Sequence, residues 1–235
     1  MFDLIAFDAD DTLWHSESLY SAAQDRFKQL LAPYQCAGRI EQKLHQTEMR
    51  NLQYYGYGIK GFALSLIETA IELTQGRISG GEIQEVIDLA KDMLTAEIQL
   101  LDHAQETVTR LAVSYPLMLI TKGDLFDQEA KIARSGLRQY FRHIEIVSDK
   151  TREGYATLLA RYYLEPSRFL MVGNSLRSDI LPVVALGGQA VHIPYHITWA
   201  HENVALSEED RKRYFELEHL GLLPALIEKL SQSLE

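Results

Sequence analysis

The sequence predicts an α/β fold: a parallel sheet covered by helices on both faces, with an all-helical region inserted in it. Two observations carry that reading. Short apolar runs alternate with amphipathic segments through the second half of the chain, as βαβ units do. A further apolar run at the start is cut off from that series by a long stretch whose apolar residues recur at helical spacing. A third observation says where function would lie. Polar residues gather directly after the apolar runs, and open parallel sheets bind ligands beyond the carboxyl ends of their strands.

The elements follow in order. Phe2 to Phe7 reads as a short strand, apolar almost throughout and so buried on both faces. From Ser16 to Leu101 the pattern is helical. Leu19, Ala22, Ala23, Phe27, Leu30 and Leu31 share one helical spacing, and Ile83, Val86, Ile87, Ala90, Leu94, Ile98 and Leu101 another. QTEMRNLQYY and GIKGFALSLIETAIEL lie between them as two further helices. The stretch QYYGYGIKG (53–61), with three glycines and three tyrosines, reads as a loop.

After Asp102 the chain reads as an amphipathic helix, ETVTRLAVSY, then strand PLMLIT (116–121) and helix LFDQEAKIARSGL. Strand HIEIVS (143–148), helix EGYATLLARYYL and strand RFLMVG (168–173) come next. Helix SLRSDILPVVALG leads to strand QAVHIP (189–194), an edge strand near Tyr214–Leu217 and a last helix, PALIEKLSQSL. The predicted domains are a core of residues 1–15 and 102–235 and an inserted helical region of residues 16–101.

Composition excludes several classes. The 235 residues are 46% hydrophobic and 24% charged, an ordinary globular balance. A formal net charge of −10 argues against binding nucleic-acid polymers, which takes a basic face. Cys36 is the one cysteine, so an internal disulfide and a cysteine zinc site are both out of reach, which fits a cytoplasmic protein. MFDLIAFDAD is not a signal peptide, and no apolar stretch is long enough to span a membrane. His196 and His201 in PYHITWAHE lack the partner pattern of a zinc site, and Trp199 reads as packing.

The strand ends carry the chemistry. The first runs into Asp8-Ala9-Asp10-Asp11-Thr12 and the second into Thr121-Lys122-Gly123-Asp124. The third is followed by Asp149-Lys150, and the fourth by Gly173-Asn174-Ser175 with Asp179 close behind. Like charges crowded at a buried strand end raise the cost of ionisation. A metal ion or a nearby cation would offset it.

In order and spacing, these four strand ends resemble the motifs of the haloacid dehalogenase superfamily, in particular its phosphatases with a helical cap. Asp8 to Thr12 is similar to the DxDxT motif, Thr121 to the second motif, Lys150 to the third and Gly173–Asp179 to a variant of the fourth. The resemblance implies a Rossmann-like core, a helical cap that closes during turnover, and a Mg²⁺-dependent phosphatase acting on a small phosphorylated metabolite. It implies that Asp8 attacks phosphorus and that Asp10 protonates the leaving oxygen and later takes a proton from water. Asp8, Asp179 and the carbonyl of Asp10 would hold Mg²⁺. Thr121, Lys122 and Gly123 would hold the phosphoryl group, and Lys150 would offset the charge. Thr12, Asn174 and Ser175 would orient these groups.

These roles are chemically coherent. Hard oxygen donors suit Mg²⁺, and a cation relieves the repulsion between an anionic nucleophile and a phosphate ester. Asp10 also discriminates, because relatives that remove halide from carbon lack an acid at that position. Two residues depart from the family pattern. Asn174 stands where Asp is common, which bears on metal affinity. Lys122 stands where many relatives carry Asn, and either adds charge for phosphate or points to solvent. In the helical region Arg50, Tyr54, Tyr55, Tyr57 and Lys60 are candidates for substrate contact. A sugar-phosphate mutase and a non-catalytic binding protein are the alternative readings.

Overall fold

The computed structural model describes residues 2–232. In chain order it contains β1 (Leu4–Phe7), α1 (Glu17–Leu31), α2 (Ala37–Tyr55), α3 (Ile59–Thr74), α4 (Gly80–Thr95), α5 (Ala104–Ala112) and β2 (Leu117–Lys122). Then come α6 (Leu125–Arg134), β3 (His143–Val147), α7 (Arg152–Arg161), β4 (Phe169–Gly173), α8 (Leu181–Val184) and β5 (Gln189–His192). α9 (Glu208–Arg211), β6 (Phe215–Glu216) and α10 (Leu223–Gln232) complete the chain. Ser233 and Leu234 of the predicted last helix lie outside the described residues.

The six strands form one parallel sheet in the order β3-β2-β1-β4-β5-β6. The first strand in sequence is therefore central, with Ile5 in register with Leu117 on one side and Leu170 on the other. Strand side chains alternate between faces, and both faces here are apolar. Ile5, Phe7, Leu117, Leu119, Leu170 and Val172 pack with Val108 of α5 and Ile227 of α10. Leu4, Ala6, Met118, Ile120, Phe169 and Met171 pack with Tyr155, Leu158 and Leu159 of α7. Two buried faces explain why the strands read as continuous apolar runs instead of alternating ones.

The chain divides into two compact units. One comprises Met1–Glu17, Ile98–Lys122 and Glu129–Glu235, and holds the sheet. The other comprises Ser18–Glu97 with Gly123–Gln128, and holds α1–α4. The helical unit has its own core: Phe27 and Leu31 of α1, Ile40 and Leu44 of α2, Phe62, Leu66 and Ala70 of α3, and Val86 and Ala90 of α4. Among the described residues no helix is long and apolar enough to cross a membrane.

Three predicted segments differ in form. The helical spacing read through Ile98 and Leu101 overruns the helix, because α4 stops at Thr95. The loop expected over 53–61 is only a three-residue turn, because α2 runs on through Tyr55. Gly56 then stops it with φ 65°, its N–H donating to the Leu52 carbonyl at 2.9 Å. The single helix expected after Gly173 is a wide π-type turn, Leu176–Ile180, followed by the short α8. Pro182 has no N–H to continue a regular ladder, and the Ile180 N–H instead reaches back five residues to the Ser175 carbonyl, at 3.2 Å. Widened turns of this kind recur at functional sites.

α4 begins with a reciprocal cap, Ser79 accepting from the Glu82 N–H and the Glu82 side chain accepting from the Ser79 N–H. Ser79→Ala removes one of these bonds and is expected to destabilise the helical unit by about 1 kcal/mol. Faster amide hydrogen exchange in the first turn of α4 would show it, and unchanged exchange would contradict it.

Candidate active site

The site is built at the carboxyl ends of β1, β2, β3 and β4, within the sheet-bearing unit. β1 delivers Asp8, whose N–H still donates to the Val172 carbonyl of β4 at 2.9 Å. The chain then turns back on itself. The Leu13 N–H donates to the Ala9 carbonyl at 2.8 Å, and Asp11 takes a left-handed φ of 62°. The Asp11 carboxylate accepts from the Ser16 N–H at 2.8 Å and the Glu17 N–H at 3.0 Å. Asp11 thus satisfies free amides at the start of α1 and shapes the turn.

Lys150 is the centre of charge. Its ammonium is buried and donates to Asp8 Oδ1 and, at 2.7 Å, to Asp179 Oδ1. Burial works against that charge, and Asp179 and Asp8 together overcome it and hold the ammonium well above the usual lysine range. One cation facing two buried carboxylates leaves them in excess. Burial accordingly pushes the Asp8 carboxyl up to about 7, with Asp179 and Asp10 adding to the rise and Lys150 opposing it.

Asp179 is placed by the turn after β4. Its Oδ2 accepts from the Ser175 N–H at 3.0 Å, and its carboxylate lies flat over Gly173. A Cβ at position 173 would sit 2.3 Å from Asp179 Oδ2, so only glycine admits the acid there. Thr12 donates to Asp8 Oδ2 at 2.9 Å and accepts from the Asn174 N–H at 3.0 Å. Thr121 is buried near the end of β2, in register with Ile146 of β3.

Other expected residues have partners that sequence reasoning did not identify. The Asp10 carboxylate is held by Lys131 Nζ, 2.7 Å from both oxygens, and by Trp14 Nε1 at 2.8 Å. Lys122 points neither to solvent nor away from its neighbours: it donates to Ser178 Oγ at 2.9 Å and to Glu202. Glu202 also accepts from Ser175 Oγ and, at 2.7 Å, from Ser178 Oγ. Burial alone would raise the Glu202 carboxyl, but Lys122 and the two hydroxyls outweigh it and bring it down to about 2. Lys131 left no signal in the sequence, since the buried face of α6 that carries it is itself largely polar, with Asp127 and Gln128. Glu202 closes the stretch PYHITWAHE, whose local pattern carries no signal for the acid.

The remaining expected residues belong to the helical unit. Gly123 has φ 135°, and a Cβ there would come within 3.0 Å of Gln128 Nε2. Arg50 is paired with Glu68 at 2.8 Å and Glu72 at 3.0 Å. Lys60 pairs with Asp124 at 2.8 Å and lies 5.4 Å from the centre of the Phe126 ring. Tyr54 and Tyr55 are exposed.

Among the described residues no three His, Cys, Asp or Glu side chains are arranged to hold a metal ion by themselves. The donor set nevertheless suits Mg²⁺, which needs only one or two carboxylates and completes its shell with other oxygens and water. Asp8 and Asp179 supply the carboxylates, converging on one point now spanned by Lys150. Their excess negative charge is the electrostatic condition a divalent cation would relieve.

Comparison with known proteins agrees with the fold. The sequence profile described as haloacid dehalogenase-like hydrolase matches residues 2–187. A haloacid dehalogenase-like family hydrolase from Xanthomonas campestris is 40% identical, with 99% of this chain and 93% of that one covered and a TM-score of 0.88. A putative HAD-hydrolase from Bacillus subtilis, solved with bound magnesium, shares 15% identity over 97% of this chain and 99% of that one, at a TM-score of 0.67. An L-2-haloacid dehalogenase from Xanthobacter autotrophicus shares 16% identity over 97% and 99%, at 0.62. The last two likenesses concern the fold alone. No match was found among curated proteins.

Two outcomes test the electrostatics. A carboxyl raised to about 7 from an ordinary 3.8 destabilises the fold once ionised, a penalty that grows between those values and is complete above them. Asp8→Asn is therefore expected to melt higher than the natural protein at pH 8, the gap closing as pH falls toward 4. A lower melting temperature at pH 8 would refute it. Glu202 has the opposite sign. Its contribution is complete above its ordinary value of 4.5 and is lost as pH falls toward 2. Glu202→Gln should speed hydrogen exchange across residues 194–207 at pH 7, while the natural segment stays protected down to about pH 4.5.

Proposed function

The chain belongs to the haloacid dehalogenase-like hydrolase family, and we propose that within it the protein is a Mg²⁺-dependent phosphatase of a small phosphorylated metabolite. Asp10 is the observation that carries this reading. A second acid two residues beyond the nucleophile serves a reaction whose leaving group is an alkoxide that needs a proton; a halide leaves without one. Asp8, Asp179 and the main-chain carbonyl of Asp10 would hold the Mg²⁺, whose charge lowers the repulsion between carboxylate and phosphate ester.

The chain's own residues then have these tasks. An Asp8 oxygen attacks phosphorus, the bond from phosphorus to the ester oxygen breaks, and Asp10 gives that oxygen a proton. A water next loses its proton to Asp10 and attacks the same phosphorus, releasing phosphate and restoring Asp8. Lys131 and Trp14 bind the carboxylate form of Asp10, the form that the second step uses. Lys150 keeps positive charge beside Asp8 throughout. Thr121 and the amides at Lys122 and Gly123 are assigned to the phosphoryl oxygens. Thr12, Asn174 and Ser175 orient Asp8 and Asp179 through their bonds. We assign recognition of the leaving group to the helical region, residues 16–101. Its exposed candidates are Tyr54 and Tyr55, because Arg50 and Lys60 are engaged by acids. The single cysteine, which is free and exposed, fits a cytoplasmic setting.

The deciding experiment is phosphate release from para-nitrophenyl phosphate and a panel of phosphorylated metabolites, with Mg²⁺ and with chelator. Turnover is expected only with metal. Asp8→Asn should abolish it, and Asp10→Asn should slow it on the order of 10²- to 10⁴-fold. Halide release from 2-haloacids without phosphate release would replace this reading with a dehalogenase. Silence on every substrate, with no Mg²⁺ binding, would favour a binding protein and point to Asn174. Transfer of phosphate between sugar positions in place of release would favour a mutase.

A further inference from the structure

A run of hydrogen bonds crosses the sheet edge into the site, and its outer members belong to none of the four motifs. Glu216 of β6 lies 2.9 Å from Nδ1 of His192 on β5. His192 Nε2 lies 3.0 Å from the carbonyl oxygen of Asn174, at the end of β4. The Asn174 N–H donates to Thr12 Oγ1 at 3.0 Å, and Thr12 donates to Asp8 Oδ2 at 2.9 Å. We propose that His192 is a positioning residue for the nucleophile, acting on Asp8 through Asn174 and Thr12. The proposal rests on the phosphatase reading, in which Asp8 attacks.

Three features support it. The ring is buried at 7% exposure and is held on two sides, by Glu216 and, edge-on, by Tyr214 with ring centres 6.0 Å apart. A buried imidazole so confined has one orientation. A carbonyl oxygen only accepts, which assigns the proton of the Asn174 contact to Nε2.

The second feature is the place where the run ends. Thr12 has one hydroxyl proton and two acceptors in reach, Asp8 Oδ2 at 2.9 Å and Asn174 Oδ1 at 3.2 Å. A carboxylate attracts a hydroxyl proton more strongly than an amide oxygen does. With a neutral amide at 174 the proton goes to Asp8. An aspartate at 174 would compete for it on equal terms. The departure from the usual acid at this position therefore suits a nucleophile oriented through Thr12, and the position of the Asn174 main chain becomes what has to be held.

The third is that His192 holds it. The Asn174 carbonyl and N–H belong to the same residue, one tied to His192 and the other to Thr12. Movement of one end moves the other. Residues that orient reacting groups in this way commonly change activity on the order of tenfold or more when lost.

The test compares His192→Phe with His192→Gln. Phenylalanine keeps a ring of similar size and no donor, whereas the glutamine amide nitrogen can take the place of Nε2–H. With para-nitrophenyl phosphate, His192→Phe is expected to lower kcat about tenfold with KM changed by less than about twofold, and His192→Gln to recover most of that loss. Hydrogen exchange at the Asn174 amide, read by NMR without any substrate, should quicken in the Phe variant and return toward the natural rate in the Gln variant. Equal turnover in the Phe and natural proteins would overturn the proposal. So would a Gln variant as impaired as Phe, since that marks a packing role. If the natural protein has no phosphatase turnover, the phosphatase reading fails by itself. The amide exchange then still decides whether His192 holds the turn, and unchanged exchange in the Phe variant would overturn that.

Discussion

A buried ammonium between two buried carboxylates organises this molecule. Lys150 comes from the loop after β3, Asp8 from β1 and Asp179 from the turn after β4, and none of the three is affordable alone. An unpaired buried charge costs several kcal/mol. Brought together they leave two carboxylates facing one ammonium, and burial, with Asp179 adding to it, holds the Asp8 carboxyl above its ordinary range. That imbalance is the physical property the site offers to chemistry. It sets a carboxyl beside a cation, and it leaves room in the electrostatics for a second cation.

The sheet makes the convergence possible. Charges are costly within the central strands, which are apolar on both faces, so they collect where those strands stop. Parallel strands all stop on the same side. Because β1 is central, its carboxyl end is flanked by those of β2 and β4, and residues more than a hundred positions apart become neighbours. Small backbone details then set distances. Gly173 lets Asp179 lie against the main chain, and the wide turn at Leu176–Ile180 carries that acid back to the Ser175 amide.

Around this centre the structure adds a ring of supporting partners. Lys131 and Trp14 fix Asp10; Glu202 gathers Lys122, Ser175 and Ser178; His192 joins the edge of the sheet to the turn that holds Thr12. Of these partners Lys131, Glu202 and His192 come from outside the four motifs. Ordering a reacting group to within a fraction of an ångström takes such a shell, since a lone side chain on a loop keeps its rotamer freedom.

How much of this was legible follows from what each feature depends on. The strands, the helical insertion and the acids at the strand ends are local. Apolar period, chain order and residue type carry them, so DADDT, Lys150 and Asp179 could be picked out before any geometry was known. The broken helix at Pro182 is not legible locally, because a main-chain bond five residues long decides it. Lys131 on Asp10, Glu202 on Lys122 and His192 on Asn174 were beyond reach. Their partners lie from 18 to 121 positions away, and a histidine, a lysine and a glutamate give the same local signal in a solvated loop as in a site. The sequence by itself determined which chemical groups stand at the strand ends. Tertiary structure alone decided which of them share protons and charge, because that depends on distances across the sheet that no local pattern encodes.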